Sequence, residues 1–217
     1  MAKADLSREA IVDRALAVAD AEGLDAVTVR RLAQELGVTP MALYWHVKNK
    51  DEVLDAMGDR LFETVDYASP DGATWDEQLR AVVRGLVEAF RAHPVCVDLA
   101  YRRVFECEEG LQLAEHTLGL LRGAGFADRQ AADIATRSLQ TALMLVTSEP
   151  GAEPGSTPEA AHAKLAEKRA GIAALPIDRF PNIHALAGFM LYCDDVEAYY
   201  DFNVDLFVNG ARTALAA

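Results

Sequence analysis

Between Thr28 and Lys50 the chain sets out Arg30, then Thr39-Pro40-Met41-Ala42, then Tyr44, Trp45, His46, Lys48 and Lys50. The chemistry these side chains can do is recognition. A guanidinium such as that of Arg30 can make two hydrogen bonds to a guanine edge, whereas Met41 and Ala42 can touch a thymine methyl but cannot read donors or acceptors. Tyr44, His46, Lys48 and Lys50 are suited to phosphate oxygens, which set register and affinity rather than sequence preference. Trp45 has apolar neighbours at three- and four-residue spacing, which favours packing over contact. The candidate DNA-contacting set is therefore Thr28, Arg30, Thr39, Pro40, Met41, Ala42, Tyr44, Trp45, His46, Lys48 and Lys50.

Two short helices and a tight turn must hold these residues. Val29, Leu32, Ala33 and Leu36 recur at helical spacing behind Thr28, a good N-cap, and Gly37 suits the left-handed residue that ends a helix. Thr39 can cap the next helix with Pro40 at its first position, and Val38 and Leu43 are spaced as a hydrophobic staple. That helix is expected over about residues 40–46, and Asn49 with Glu52 opens another. This is a helix-turn-helix, whose second helix lies in the DNA major groove. Two short helices and a Gly turn also occur in proteins that bind no DNA.

The run Leu36-Gly37-Val38, then Leu43-Tyr44-Trp45-His46-Val47-Lys48-Asn49-Lys50 and Val53-Leu54-Asp55-Ala56, resembles the DNA-binding domain of the tetracycline-repressor (TetR) family. The likeness covers about Leu6 to Leu61. A weaker likeness, in helix order, Trp75 and the last helix, extends over the rest. It implies an all-α protein: an N-terminal three-helix helix-turn-helix domain over residues 1–66 and a C-terminal helical ligand-binding and dimerisation domain over residues 67–217. It also implies a homodimer on a double-stranded DNA operator, released by a small-molecule effector. True tetracycline repressors hold a magnesium–drug complex with histidines and a polar amide. Near the matching places this chain has Asp66, Val82 and Val97-Asp98, which points away from tetracycline.

The chain's own composition is consistent with this reading. With 217 residues, 51% hydrophobic, it can bury a sizeable core in one large or two small domains. A net charge of −13 argues against an indiscriminate nucleic-acid binder. Residues 26–50, however, hold Arg30, Arg31, Lys48 and Lys50 against Glu35 alone. Such a local basic footprint on an acidic molecule favours one docking face and a marked salt dependence. Cys96, Cys107 and Cys193 are an odd number without a Cys-x-x-Cys pair, as expected of thiols in a reducing cytoplasm. No apolar run approaches membrane-spanning length, and the charged start at Lys3, Asp5, Arg8 and Glu9 has no signal-peptide core. The expectation is a cytoplasmic protein with no membrane partner.

Further along, helices are expected over about Ser7–Glu22, Lys50–Val65, Trp75 to before Pro94, Val97–Phe105, Gly110–Arg122, Asp128–Thr147, Glu159–Ala173 and Asp195–Leu215. Residues 149–158, rich in Pro and Gly, read as a mobile linker, and Pro176 and Pro181 as breaks. Gly123-x-Gly125 follows a helix rather than a strand and reads as a C-cap, not a nucleotide loop. Small residues Ala131, Ala135, Ser138 and Ala142 permit close helix approach, and the last helix is apolar on two sides. Together these suggest a two-fold four-helix bundle. Candidate effector contacts, from an expected mostly apolar pocket, are Phe90, Tyr101, Phe105, His116, Gln140, Met144 and Thr147.

No histidine pair has metal-ligand spacing, so neither metal nor cofactor is expected. There is no Gly-x-Ser-x-Gly nucleophile motif and no clear acid–base pair, so no catalytic residue is named and no enzyme is expected. The alternative is a helical small-molecule sensor or interaction protein without sequence-specific DNA binding.

Overall fold

Small polar residues and glycines set the helix ends. Ser7 accepts from the Ala10 N–H at 3.1 Å and opens α1 (Arg8–Glu22), whose buried face is Ile11, Val12, Ala15, Leu16 and Ala19. A 3-10 turn, Leu24–Ala26, leads to Thr28, which caps α2 (Val29–Glu35). Gly37, at φ +66°, lets the Val38 N–H reach back to Ala33 at 2.9 Å. That bond satisfies a terminal carbonyl and turns the chain. Next come α3 (Pro40–Leu43) and α4 (Lys50–Glu63). Regular helix stops at Leu43, short of the expected residue 46, because the His46 N–H bonds back only three residues, to Leu43 at 2.9 Å.

The structure is a computed structural model that describes residues 6–216, so Lys3 and Asp5 lie outside it. Its described residues hold eleven α-helices and no strand. The second half comprises α5 (Trp75–Ala92), α6 (Val97–Arg103), α7 (Glu108–Gly123), α8 (Asp128–Thr147), α9 (Pro158–Ala173), α10 (Pro181–Leu191) and α11 (Val196–Ala216). Helix α5 is the axis: its Leu79, Val82, Val83, Leu86, Val87 and Phe90 are buried among α4, α7, α8 and α11. Gly125, at φ +100°, closes α7 and sends Phe126 edge-on against Trp75, with ring centroids 5.2 Å apart.

Charges fix the register of α5 against α11. Arg80 meets Asp201 and Asp205, Arg84 and Arg91 meet Glu197 at 2.9 and 2.7 Å, and Arg212 returns to Asp76. The bonds from Arg84 and Arg91 hold the Glu197 carboxyl below its ordinary pKa. The acidic start of α11 also behaves as a cap, with Asp195 accepting the Ala198 N–H at 2.9 Å.

The two halves meet where α4 lies along α6. The crossing is close because Gly58 has no side chain: a Cβ there would fall 2.9 Å from the Leu99 backbone. Arg103, on α6, donates to Asp59 on α4 at 2.7 Å, which raises the guanidinium pKa. A second tie joins α1 to the end of α5, His93 to Asp20 at 2.7 Å. His93 is the C-cap residue of α5, as its place before Pro94 predicts.

Two expectations need correction. The small stripe of α8 faces its own chain: Ala131, Ser138 and Ala142 are buried, and α8 packs on α5. Small side chains admit close approach to whichever neighbour is nearest, and here that is the chain's own axial helix. Pro181 does not break the chain but starts α10, at a first-turn position where no N–H is needed. Residues 149–157 run as turns beside α9, with Glu153 accepting from Lys164 and Lys168 at 2.5 and 2.6 Å.

Candidate nucleic-acid interface and effector cavity

Helix α3 is held from behind and presents its other side to solvent. Leu43 and Val47 are fully buried, whereas Met41, Tyr44 and Trp45 are 69%, 50% and 85% exposed. Thr39 accepts the Ala42 N–H at 3.3 Å, and Thr28 accepts the Arg31 N–H at 3.1 Å, so both hydroxyls fix helix starts beside the exposed face. The packing role expected of Trp45 is overturned. Its apolar neighbours Met41 and Ala42 share the outward face, not the core.

The basic residues divide by partner. Arg31 is held by Glu22 at 2.6 Å and Glu35 at 3.0 Å, so its charge is spent within the domain. Arg30 is exposed and takes part in no ion pair among the described residues. Lys48 is exposed, and its backbone N–H donates to Glu52 at 2.7 Å, which locks the turn before α4. Lys50 is half-buried, with Nζ donating to the Leu24 carbonyl at 3.2 Å. His46 is half-buried and Pro40 exposed on the same short element.

A cavity of about 380 Å³ opens between α5, α6, α7 and α8. Tyr101 and Phe105, both expected to contact an effector, line it, and Gln140 stands behind, donating to the Tyr101 hydroxyl at 3.2 Å. The other four expected contacts lie elsewhere. Phe90 is completely buried, edge-on to Phe62, in the core between α4 and α5. His116 stacks on Tyr67 at 4.8 Å on the outer face of α7. Met144 is exposed and off the lining, and Thr147 lies beside the 149–157 turns. Helical phase decides which aromatic and polar side chains turn toward the cavity. Leu113, Thr117 and Ser138 line the cavity without having been singled out. The usable signal was a hydroxyl on an otherwise apolar helical face.

The family profile described as "Bacterial regulatory proteins, tetR family" matches residues 11–57, and "Tetracyclin repressor-like, C-terminal domain" matches residues 68–215. The chain belongs to the TetR family. Among curated relatives, the HTH-type transcriptional repressor DrrR1 of Streptomyces coeruleorubidus is 33% identical over 127 residues, 58% of this chain and 47% of that protein. The class D tetracycline repressor of Escherichia coli is 44% identical over 79 residues, 36% of each. These matches thus span about half or less of the relatives' length. The TetR-family protein ActR of Streptomyces coelicolor, solved in complex with actinorhodin, superposes with a TM-score of 0.72 at 31% identity. That alignment covers 99% of this chain and 100% of ActR.

Of Asp66, Val82, Val97 and Asp98, the residues that pointed away from tetracycline, Val82 lines the cavity and adds apolar surface, and Asp98 is exposed. Asp66 sits on the exposed α4–α5 loop, where it accepts the Ala68 N–H at 3.0 Å, and Val97 is in the core. Among the described residues no helix is long and apolar enough to cross a membrane.

Proposed function

We propose that this TetR-family chain is a ligand-responsive transcriptional repressor that acts in the cytoplasm. It binds a palindromic double-stranded DNA operator as a homodimer and is released by a small-molecule inducer. The observation that carries the reading is the outward face of α3. Large apolar side chains that a fold would otherwise bury are held in water on a segment anchored by Leu43 and Val47, with Arg30 before it and Lys48 after it also exposed. In this arrangement Arg30 reads a base, Met41 and Ala42 meet methyl groups, and Thr28, Thr39, Tyr44, Trp45, His46, Lys48 and Lys50 line the duplex backbone.

The dimer is built on α11. Tyr200, Val204, Val208 and Ala211 of α11 pack on the chain's own core, while Phe202 and Leu206 stand 64% and 56% exposed. A second copy covers that second stripe. Two reading helices one helical turn of DNA apart, about 34–36 Å, then fit a palindrome.

The cavity between α5 and α8 takes the effector, and its wall α6 lies on α4, which carries the reading head. An effector that favours an α6 position with the wrong head spacing shifts the population off DNA.

Recovery of sheared genomic DNA by the purified chain tests the reading. A few discrete fragments retained at about 0.15 M salt, the physiological range, are expected. Uniform recovery at low salt, with nothing retained at the higher salt, leaves the sensor without sequence-specific binding.

A further inference from the structure

The lining of the cavity is mostly apolar. Arg102 is the only formally charged residue on its lining, and no acidic side chain joins it there. Its neighbour Arg103 is occupied by Asp59 and Glu106, whereas Arg102 enters no ion pair among the described residues. A helix C-terminus favours a cation by itself, so the place of Arg102 in the last turn of α6 does not assign a ligand. The distribution of donors does.

The hydroxyls on the inner wall have no proton left to give. Thr117 donates to the Leu113 carbonyl at 2.8 Å and Ser138 to the Ile134 carbonyl at 3.0 Å. A hydroxyl has a single O–H, so each offers the cavity only lone pairs. The remaining donors are on the exposed Arg102, Tyr101 and Thr136, at the mouth. Tyr101 accepts from Gln140, which leaves its own O–H free. The interior thus suits an apolar body, and the rim a strong acceptor.

Resting on the effector reading above, we infer that the effector is an amphipathic organic acid. Its apolar, ring-sized body occupies the cavity, and a single carboxylate or comparable anionic group sits at the mouth on Arg102 and Tyr101. A cation there is repelled, and a neutral molecule leaves the guanidinium unused.

Two fluorescent probes that differ by one acid group test this with the full-length chain. They are 8-anilinonaphthalene-1-sulfonate and N-phenyl-1-naphthylamine, the same rings without the sulfonate. The sulfonate is expected to bind about tenfold more tightly, in line with one charge-assisted hydrogen-bonded contact. Arg102→Gln, on an exposed side chain, is expected to erase that advantage and leave the neutral probe unchanged. Ala132→Trp, which fills the mouth from the exposed side of α8, is expected to weaken both. Equal binding of the two probes, or a sulfonate affinity untouched by Arg102→Gln, overturns the acid-group assignment while the cavity stands. If Ala132→Trp changes neither probe, or neither probe binds, the cavity is not a ligand site and the effector reading falls with it.

Discussion

Met41 on α3 and Tyr44 and Trp45 in the turn that follows it are all exposed, and grouped exposed apolar side chains mark contact surfaces. Removing an exposed side chain changes stability little, within about 0.5 kcal/mol. Removing an aromatic contact from an interface commonly costs about 2 kcal/mol. Trp45→Ala is therefore expected to leave the thermal melt unchanged and to weaken duplex binding by at least tenfold; a large drop in melting temperature instead returns Trp45 to a packing role. Arg30→Ala is expected to cost about 1–3 kcal/mol and relax preference at one base position, while Lys48→Ala weakens all sequences alike and lowers the salt slope by about one. Titrations of several duplexes at several salt concentrations separate the two. Lys50 is the less clean probe, because its ammonium already ties down the Leu24 carbonyl. Much of this face could be read from residue types: the caps Thr28, Thr39 and Asn49 all bond as their positions predict. Trp45 was misread because on a one-turn helix apolar periodicity does not say which side is the core.

Helix ends and helix phases were legible to different degrees. Capping residues and Gly37 or Gly125 act within a few residues, so several helix starts follow from local chemistry, whereas the ends of α3, α4 and α6 fall short of the periodic pattern. Which neighbour a face meets is a long-range matter. The small stripe of α8 was legible as a close-approach surface, but not as one aimed at α5. Helix α10 was hidden because its composition after Pro181 is apolar all round and its start resembles a break. Two predictions belong to this scale. Gly58→Ala sets a methyl 2.9 Å from the Leu99 backbone and the Arg103 side chain, forcing α4 and α6 apart. Overpacking of that kind costs about 1–3 kcal/mol, to be read as a lower urea midpoint with an unchanged slope. The α5–α11 ladder gives a pH dependence. Arg84 and Arg91 depress Glu197, and the Thr74 hydroxyl, with Arg212 behind it, depresses Asp76. Carboxylates with depressed folded values stabilise fully above their unfolded pKa, about 4, and lose that contribution as pH falls through the folded values. The urea midpoint is expected to hold from pH 7 to about 5 and to fall below about 4; a midpoint that rises on acidification contradicts the ladder.

At the scale of the molecule, an acidic chain whose excess basic residues lie within 26–50 docks by that one face, and the proposed dimer must hold two such faces at a fixed spacing. The net charge of −13 and the four basic residues of 26–50 were legible from the start. So was the second apolar stripe of α11, where Phe202 and Leu206 are exposed. The cavity was legible only as a type of place, because its walls come from four helices whose relative phases no single segment encodes. Phe202→Glu with Leu206→Glu is expected to give a folded monomer in sedimentation at micromolar concentration and to abolish palindrome binding. A dimer that persists moves the interface elsewhere.

As proposed, a dimer of this chain reads a specific duplex through α3. Selection from a random duplex library with the purified protein, followed by sequencing, tests it most directly. The account predicts enrichment of an inverted repeat whose half-sites lie about one helical turn apart, weakened at one base position in each half by Arg30→Ala. No enrichment even at low salt, or enrichment of a single unrepeated site, contradicts it.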